Sequence, residues 1–215
     1  MRIVKLRDIS ELKTGPFGTQ FRASEYVTEG IPVINVKNIG YGSLLVSGLD
    51  HVSENTLERL SEHKLQEGDI VFGRKGSVDR HCLIRKGQDG WMQGSDCIRV
   101  RFTDAIVYPE FVSYYLLTDA VKMKINNSAV GSTMASLNTD ILGDIDIILP
   151  DCEEQKRIAL ILGTIDKKIS NNNQINDYLC AQLQILFSYL FNISVMPESW
   201  TQGVLADIAN ITMGQ

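Results

Sequence analysis

The stretch that decides the fold runs from residue 145 to residue 191 and reads IDIILPDCEEQKRIALILGTIDKKISNNNQINDYLCAQLQILFSYLF. It opens with an apolar, strand-like segment that ends at Pro150. From residue 153 to residue 191 the only glycine is Gly163, and there is no proline. Because glycine and proline interrupt helices, the sequence predicts one helix of about 39 residues, roughly 58 Å long at ~1.5 Å per residue.

Apolar residues recur at seven-residue spacing along this segment, and further apolar residues widen the stripe. A helix of this length is too long to be covered by a domain of about 150 residues, so the stripe predicts a coiled coil with a partner helix from elsewhere. The alternative is two shorter helices that break at residues 170–173. The predicted positions for dimer or partner-helix contact are Ile158, Ile165, Asn172, Leu179 and Leu186.

Asn172 also lies at the midpoint of residues 153–191. In an antiparallel homodimer whose two-fold axis passes through that midpoint, Asn172 faces its own copy. A buried polar residue at such a position fixes register and orientation at some cost in stability. Before this helix, Asp151 and Glu154 resemble a capping box in which Asp replaces the usual Ser or Thr.

Residues 1–149 alternate short apolar runs with glycine punctuation, which is typical of mixed strands and loops. The predicted strands lie at residues 31–36, 70–72, 82–84, 97–102 and 145–149, with a helix at 109–124, a helical turn at 138–143, and loops at 73–80 and 131–136. The predicted fold class is α+β, with a globular mixed α/β domain at residues 1–150 followed by the long coiled-coil helix at residues 151–192.

The chain is acidic overall, with a net charge of −5, which argues against a general nucleic-acid coat protein. Residues 70–102 differ, because they carry seven basic and three acidic side chains, a net charge of +4. A solvated surface and a local phosphate-binding patch both remain open as explanations. Basic and apolar residues alternate at residues 97–102, which predicts a strand with one basic face.

Cysteine and histidine spacing predicts no metal site. None of the four cysteines forms a C-x-x-C pair, and the three histidines complete no zinc-ligand pattern. No run reaches the ~18 apolar residues of a membrane span, and the first residues contain no apolar core of a signal peptide. The expectation is a cytoplasmic protein with reduced thiols and no membrane contact.

Residues 205–215 repeat the pattern of residues 6–16, with Leu, Asp, Ile and Gly coinciding at a constant offset. An eleven-residue match is weak by itself, but this one follows a complete domain-plus-helix unit. It predicts one full repeat followed by the start of a truncated second repeat at residues 193–215. We expect such a strand-and-turn fragment to be loosely held without its domain.

These segments together resemble the specificity subunits of type I restriction–modification systems. The strongest resemblance lies at residues 145–169, where a strand, Leu149-Pro150, Glu154-Gln155 and the helical Ile165-Asp166-x-x-Ile169 follow one another. Residues 14–19, 30–39, 68–77 and 196–208 are also similar to the family, in the right order and at workable spacings. The resemblance therefore covers essentially the whole chain.

The resemblance implies a non-catalytic subunit. Full-length members carry two target recognition domains, each followed by a long helix, and each domain reads one half of a split DNA site. The two helices pack antiparallel and dock methyltransferase subunits. This chain has one domain and one complete helix, so two copies joined through residues 153–191 are expected to read an inverted bipartite site. A deliberately shortened chain and a frameshift truncation are the alternatives.

The partners that the resemblance implies are double-stranded DNA, methyltransferase (modification) subunits, restriction subunits and a second copy of the chain. Modification subunits of the family transfer a methyl group from S-adenosylmethionine to adenine, so no cofactor is expected on this chain itself. Restriction subunits translocate and cleave DNA. Because most of the chain is acidic, we expect weak DNA affinity from the isolated subunit.

Loops supply the candidate DNA contacts, because base reading needs side chains at base edges while phosphate contacts position the protein. The loop at residues 73–80 is the first choice, since arginine makes bidentate bonds to guanine in the major groove. The candidates are Arg74, Lys75, Ser77 and Arg80 in that loop; Thr19, Gln20 and Arg22 after a glycine-rich turn; then Lys37 and Asn38; and then Ser132 and Thr133.

Two rival functions belong to other classes. An enzyme would need a catalytic motif, but the sequence shows no methyltransferase motif, glycine-rich cofactor loop, P-loop or nucleophile elbow. The carboxylates of Asp144 and Asp146 fit strand-edge charges better than a nuclease site. A coiled-coil interaction fragment with no DNA role is the second rival, and the basic stretch at residues 70–102 argues against it.

Overall fold

The computed structural model describes residues 2–129 and 135–191, together with residues 203, 204, 207 and 209. The chain divides into two compact units, Met1–Gly163 and Thr164–Gln215. Ser132, Thr133 and nearly all of the predicted second repeat lie outside the described residues, so the predictions made for them stay predictions.

The first unit combines short strands with short helices. Its strands are β1 Arg2–Lys5, β2 Ser10–Thr14, β3 Tyr26–Val27, β4 Ile31–Ile34, β5 Tyr41–Gly42, β6 Asp50–Val52, β7 Ile70–Gly73, β8 His81–Leu83, β9 Met92–Gln93, β10 Cys97–Phe102 and β11 Asp146–Leu149. Its helices are α1 Leu6–Ile9, α2 Glu54–Arg59, α3 Pro109–Leu116, α4 Asp119–Ser128 and α5 Thr139–Gly143. The long helix α6, Cys152–Leu190, begins in this unit.

Three sheets organise these strands. A five-stranded sheet has the order β2-β10-β7-β8-β5, a four-stranded sheet has the order β3-β6-β4-β9, and β1 pairs with β11. Strand β10 is central, because it pairs antiparallel with both β2 and β7. Its alternate residues Ile98 and Val100 are fully buried and join Phe72 in the largest hydrophobic cluster, which α3, α4 and α5 help to cover.

The predicted helix at residues 109–124 is wrong as a single element. Pro109 does occupy the first turn of a helix, as expected for a residue with no N–H to donate. That helix stops at Leu116, however, because Thr118 adopts an extended conformation and its Oγ1 donates to the carbonyl oxygen of Tyr115. A second helix then buries Val121 and Ile125.

The long helix is confirmed as one continuous element through residues 170–173, so the two-helix alternative is wrong. Asp151 Oδ1 accepts from the backbone N–H of Glu154 at 2.9 Å, whereas the Glu154 carboxylate pairs with Arg157. Gln155 is buried and binds the backbone of Ile106 and Pro150 through its Nε2. These bonds hold the start of the helix against the domain.

The predicted partner-helix positions do not share one environment. Ile158 packs against the core cluster of its own domain, where the neighbouring Ala159 is fully covered, so Ile158 is a domain-packing residue rather than part of a free seam. Ile165, Leu179 and Leu186 remain 49%, 51% and 51% exposed, and Asn172 is exposed as well. The apolar stripe is therefore uncovered from Ile165 onward.

No helix among the described residues is long and apolar enough to cross a membrane. All four cysteines are free thiols, and Cys82 and Cys97 are buried within the domain. Burial raises the pKa of the Cys82 thiol to about 12, so this side chain acts as a small apolar core residue.

Candidate nucleic-acid interface

Hydrogen bonds to other segments of the domain hold the backbone of the loop between β7 and β8 in place. Arg74 N donates to the carbonyl oxygen of Asp96 at 2.8 Å, and Arg74 O accepts from Leu137 N at 2.8 Å. Gly76 N donates to Ala135 O at 3.0 Å, and Gly76 has a φ of +79°, which glycine adopts without strain. The loop is therefore a rigid support for its side chains.

Two arginines of this loop carry uncompensated charge. Neither Arg74 nor Arg80 has a carboxylate within 4.0 Å among the described residues, a property that they share with Arg22, Lys64 and Lys86 in a domain otherwise rich in ion pairs. In both side chains, as in Arg99, the Nε atom is buried without a hydrogen-bond partner in the described structure. Both residues are partly exposed, and a guanidinium without a carboxylate partner suits an anionic or hydrogen-bonding ligand.

Four other cations of the basic stretch at residues 70–102 are neutralised within the domain, whereas Lys86 has no ion pair among the described residues. Lys75 pairs with Asp96, Arg85 with Glu110, Arg99 with Glu11 and Arg101 with Asp69. The Arg99 side chain is only 3% exposed, and its Nη1 also donates to the carbonyl oxygen of Glu62. Arg99 and Arg101 do alternate with the buried Ile98 and Val100, as predicted, but the charge of that face is neutralised, because these arginines hold neighbouring strands and loops together.

A short segment that the sequence reading missed brings three of the candidate regions together. Residues 94–97 bind the glycine-rich turn through Gly15 N and Cys97 O, at 2.9 Å. They bind the end of β4 through Gly94 N and Ile34 O, at 2.9 Å, and they bind the β7–β8 loop through Asp96 O. Gly15 has no space for a Cβ atom beside Gly94, so glycine is required at this approach.

The candidates after the glycine-rich turn are exposed. Thr19, Gln20 and Arg22 all lie on the surface, and the carbonyl oxygen of Gln20 accepts from Arg59 Nη1 at 2.7 Å. The backbone N–H of Arg22 donates to Glu25, which holds the pKa of that carboxyl below its usual value. The backbone of this segment is thus anchored while its side chains face outward.

Lys37 and Lys75 are exposed but paired. Lys37 Nζ lies 2.8 Å from Asp50, and this hydrogen bond is the largest cause that lowers the pKa of Asp50. Lys75 Nζ lies 3.1 Å from Asp96. Both pairs are half exposed, where ion pairs contribute little to stability, so a phosphate can replace either carboxylate at small cost.

The prediction that Asn38 contacts DNA is wrong, because its side chain is buried. Its side chain has no exposed surface, its Oδ1 accepts from Asn35 N, and its Nδ2 donates to the carbonyl oxygens of Leu45 and Ser47. A buried amide with these partners is a structural anchor. Its role is to shape the chain that follows, residues 39–48.

Tyr41 is a further residue that the sequence reading missed. Its ring is half exposed, and the Arg80 guanidinium carbon lies 5.4 Å from the ring centroid, within cation–π range. Lys122 Nζ lies 5.8 Å from the same centroid. The sequence signal was an aromatic residue between Gly40 and Gly42, but nothing in the sequence indicated that Arg80 would reach it.

The sequence matches a model of a known protein family over most of its length. The family model described as the type I restriction modification DNA specificity domain matches residues 1–180. The chain belongs to this family. The match confirms the resemblance that residues 145–169 carry.

Curated specificity subunits are similar to this chain. It is 25% identical to the type I restriction enzyme MjaVIII specificity subunit of Methanocaldococcus jannaschii over 78% of this chain and 40% of that protein. It is 24% identical to the MjaIX specificity subunit of the same organism, over 99% of this chain and 52% of that protein. The chain thus spans about half the length of these relatives.

Solved structures share the fold of this specificity domain. The S subunit of a type I restriction–modification system from M. genitalium superposes with a TM-score of 0.61 at 15% identity, covering 87% of this chain and 44% of that one. The HsdS subunit from Thermoanaerobacter tengcongensis gives a TM-score of 0.58 at 18% identity, covering 89% and 44%. The predicted fold class, a mixed α/β domain followed by a long helix, is confirmed.

Proposed function

We propose that this chain is a DNA-reading specificity subunit of a type I restriction–modification complex and that it contacts double-stranded DNA through the β7–β8 loop. The observation that carries the proposal is the contrast within one basic stretch. Arg74 and Arg80 stand on a fixed loop with no carboxylate partner in the described structure, while Arg99 and Arg101 are paired inside the domain.

The chemistry of the loop suits base reading. A guanidinium presents two parallel donors that match O6 and N7 of guanine, a pairing that contributes roughly 1–3 kcal/mol of discrimination. Ser77 is exposed between the two arginines and can donate or accept. Thr19, Gln20, Arg22, Lys37 and Lys75 then serve as phosphate and sugar contacts that orient the domain on the duplex.

The chain itself performs no catalysis in this proposal. Modification subunits supply methyl transfer from S-adenosylmethionine to adenine, and restriction subunits supply cleavage. The specificity subunit directs both activities by choosing the site. Because the net charge of the chain is −5, its own affinity for DNA is weak, and the assembled complex provides further contacts.

The exposed stripe of α6 is proposed as the surface for a second copy. Positions with alternating spacings of three and four residues place Ile165, Ile169, Asn172, Asn176, Leu179 and Leu183 on one side of the helix, as in a coiled coil. The two asparagines form a polar break between apolar halves. In an antiparallel pair the apolar halves cover one another, and the polar break sets the register.

An Asn172→Leu variant tests this pairing. Replacing the central amide with an apolar side chain strengthens association and loosens the register, because the polar constraint is removed. Sedimentation would show a tighter dimer, and cross-linking between engineered cysteines would show mixed registers. An oligomeric state and a cross-linking pattern identical to those of the native chain would contradict the pairing through Asn172.

The decisive experiment for the proposed function is co-expression with the cognate modification subunit, followed by mapping of methylated adenines in the host genome. A single split motif supports a DNA-reading subunit, and an inverted repeat supports two identical half-sites. Co-purification with the modification subunit but methylation without any motif would instead support the coiled-coil interaction fragment. The exposed apolar end of α6, including Phe187 and Leu190, is the observation that keeps that second candidate in view.

A further inference from the structure

Two adjacent apolar side chains are exposed on the segment that follows Asn38. Leu45 is 48% exposed and Val46 is 64% exposed, on a stretch of residues 39–48 that we name the apolar loop. Single exposed apolar residues are common on protein surfaces. This adjacent pair differs because the backbone beneath it is held in place.

The apolar loop is built by hydrogen bonds from its base. The buried Asn38 donates from Nδ2 to the carbonyl oxygens of Leu45 and Ser47. Leu45 N donates in turn to Asn38 O at 2.8 Å, and Gly40 N donates to Ser43 O at 2.9 Å. The N–H and the carbonyl oxygen of Leu45 are both hydrogen-bonded to Asn38, so the backbone at Leu45 is held in place. The side chains of Leu45 and Val46 are exposed to water, whereas the adjacent Leu44 packs against a core cluster.

The apolar loop lies beside the β7–β8 loop. Its strand β5 pairs in parallel with β8, with Tyr41 opposite His81, the residue that directly follows Arg80. The Tyr41 ring lies 5.4 Å from the Arg80 guanidinium. Leu45 and Val46 directly follow the Ile39–Leu44 bridge at the base of the hairpin whose Tyr41 contacts Arg80, so the apolar pair and this guanidinium are carried by neighbouring segments.

We propose that the apolar loop is a second DNA-reading element whose Leu45 and Val46 contact the C5-methyl group of thymine in the major groove. The inference rests on the proposed DNA-binding function and names the chemistry of one part of that site. The thymine methyl is the one apolar group that a base edge offers in the major groove, so an exposed apolar pair on a segment adjoining a guanine-reading arginine selects for it. Tyr41 acts as a positioning residue that orients Arg80.

The test uses the chain assembled with its modification subunits and the target duplex that methylation mapping provides. Each thymine in the target is replaced in turn by deoxyuridine, which removes only the methyl group. For the native complex, one replacement weakens binding about 3–5-fold, as expected for the loss of one buried methyl contact. For the double variant Leu45→Ser, Val46→Thr, binding is weaker and the same replacement has no further effect.

Two controls separate the alternatives. Ile106→Thr changes an exposed apolar residue elsewhere in the domain and should keep the full response to deoxyuridine. Thermal unfolding of the double variant should match that of the native chain, because both substituted side chains are exposed.

Three results would overturn the inference. A native complex that ignores every thymine replacement has no methyl contact. A double variant that loses affinity but keeps the native response to deoxyuridine does not read the methyl through these residues. A double variant that no longer co-purifies with the modification subunits would assign the apolar loop to protein contact.

The same binding assay tests the proposed function separately from the inference about the apolar loop. If the Arg74→Ala, Arg80→Ala double variant binds the target as the native complex does, the DNA-binding role of the β7–β8 loop is wrong. If that variant weakens binding while the deoxyuridine series is flat, the proposed function stands and the inference about the apolar loop fails. Tyr41→Phe should preserve sequence selectivity, whereas Tyr41→Leu should reduce it, because the second substitution removes the ring beside Arg80.

Discussion

Strand β10 and the β7–β8 loop belong to the same basic stretch of sequence, yet their arginines have opposite environments. Arg99 and Arg101 on the strand pair with Glu11 and Asp69 and bind backbone carbonyls. Arg74 and Arg80 on the loop have no carboxylate near them among the described residues. The difference shows that a local excess of positive charge indicates an available basic surface only after the internal ion pairs are subtracted.

The largest expected effect tests the structural side of this comparison. Arg99→Ala removes a nearly buried guanidinium that joins Glu11 to the carbonyl oxygen of Glu62, so the free energy of unfolding should fall by about 3–4 kcal/mol. Urea denaturation measures the loss. Arg85→Ala, which breaks a half-exposed pair with Glu110, should cost less than about 1 kcal/mol. Equal losses in the two variants would erase the distinction between buried and surface arginines.

A pH effect is expected at His81, where the β7–β8 loop meets the core. Burial lowers the pKa of His81 to about 4, against the ordinary value near 6.5, and its Nε2 lies 3.1 Å from both Ser113 oxygens. The unfolded chain therefore binds more protons than the folded chain between these two values. The free energy of unfolding should fall by up to about 3 kcal/mol as pH drops from 6.5 to 4.

A His81→Gln variant checks the source of that pH dependence. The amide keeps a donor toward Ser113 but does not titrate, so the variant should lose the part of the slope that His81 causes. Urea denaturation at several pH values between 7 and 4 compares the two proteins. Parallel pH profiles would show that other groups cause the acid sensitivity.

The functional side of the comparison is tested by removing the unpaired arginines. The double variant Arg74→Ala, Arg80→Ala should bind the target duplex about 10–100-fold more weakly in the assembled complex, with a shallower salt dependence. Its unfolding free energy should stay within about 1 kcal/mol of the native value, since neither side chain has an ion pair to lose in the described structure. Arg85→Ala, from the same basic stretch, is the matched control and should leave DNA affinity unchanged.

The smallest expected effect concerns Lys75, which is exposed like the loop arginines but paired like the strand arginines. Asp96→Asn frees Lys75 from its ion pair, so the affinity for non-target DNA should rise about 2–5-fold. The slope of log K against log[salt] should steepen by the amount expected for about one more phosphate contact. Titration of a scrambled duplex at several salt concentrations measures both quantities. Unchanged non-target binding would show that the carboxylate of Asp96 does not restrain Lys75.

Local sequence patterns were sufficient where one periodic signal dominates. The long helix was predictable because residues 153–191 offer only Gly163 as an interruption, and β10 was predictable from its alternation. The helix predicted at residues 109–124 failed because Thr118 terminates it locally without proline or glycine. The prediction that Asn38 contacts DNA was wrong, because its side chain faces inward and its amide donates to the backbone carbonyl oxygens of residues 45 and 47.

The sequence by itself determined the family, the fold class and the one long helix, because these depend on residue order and on periodicity along the chain. Tertiary structure decided which charges are available to a partner. Glu11, Asp69 and Arg99 are far apart in sequence, and only the pairing of β10 with β2 and the packing around it bring them within hydrogen-bond distance of their partners. Ion pairing acts over a few ångströms in space, so the arginines that keep an unpaired charge become visible only when the chain is folded.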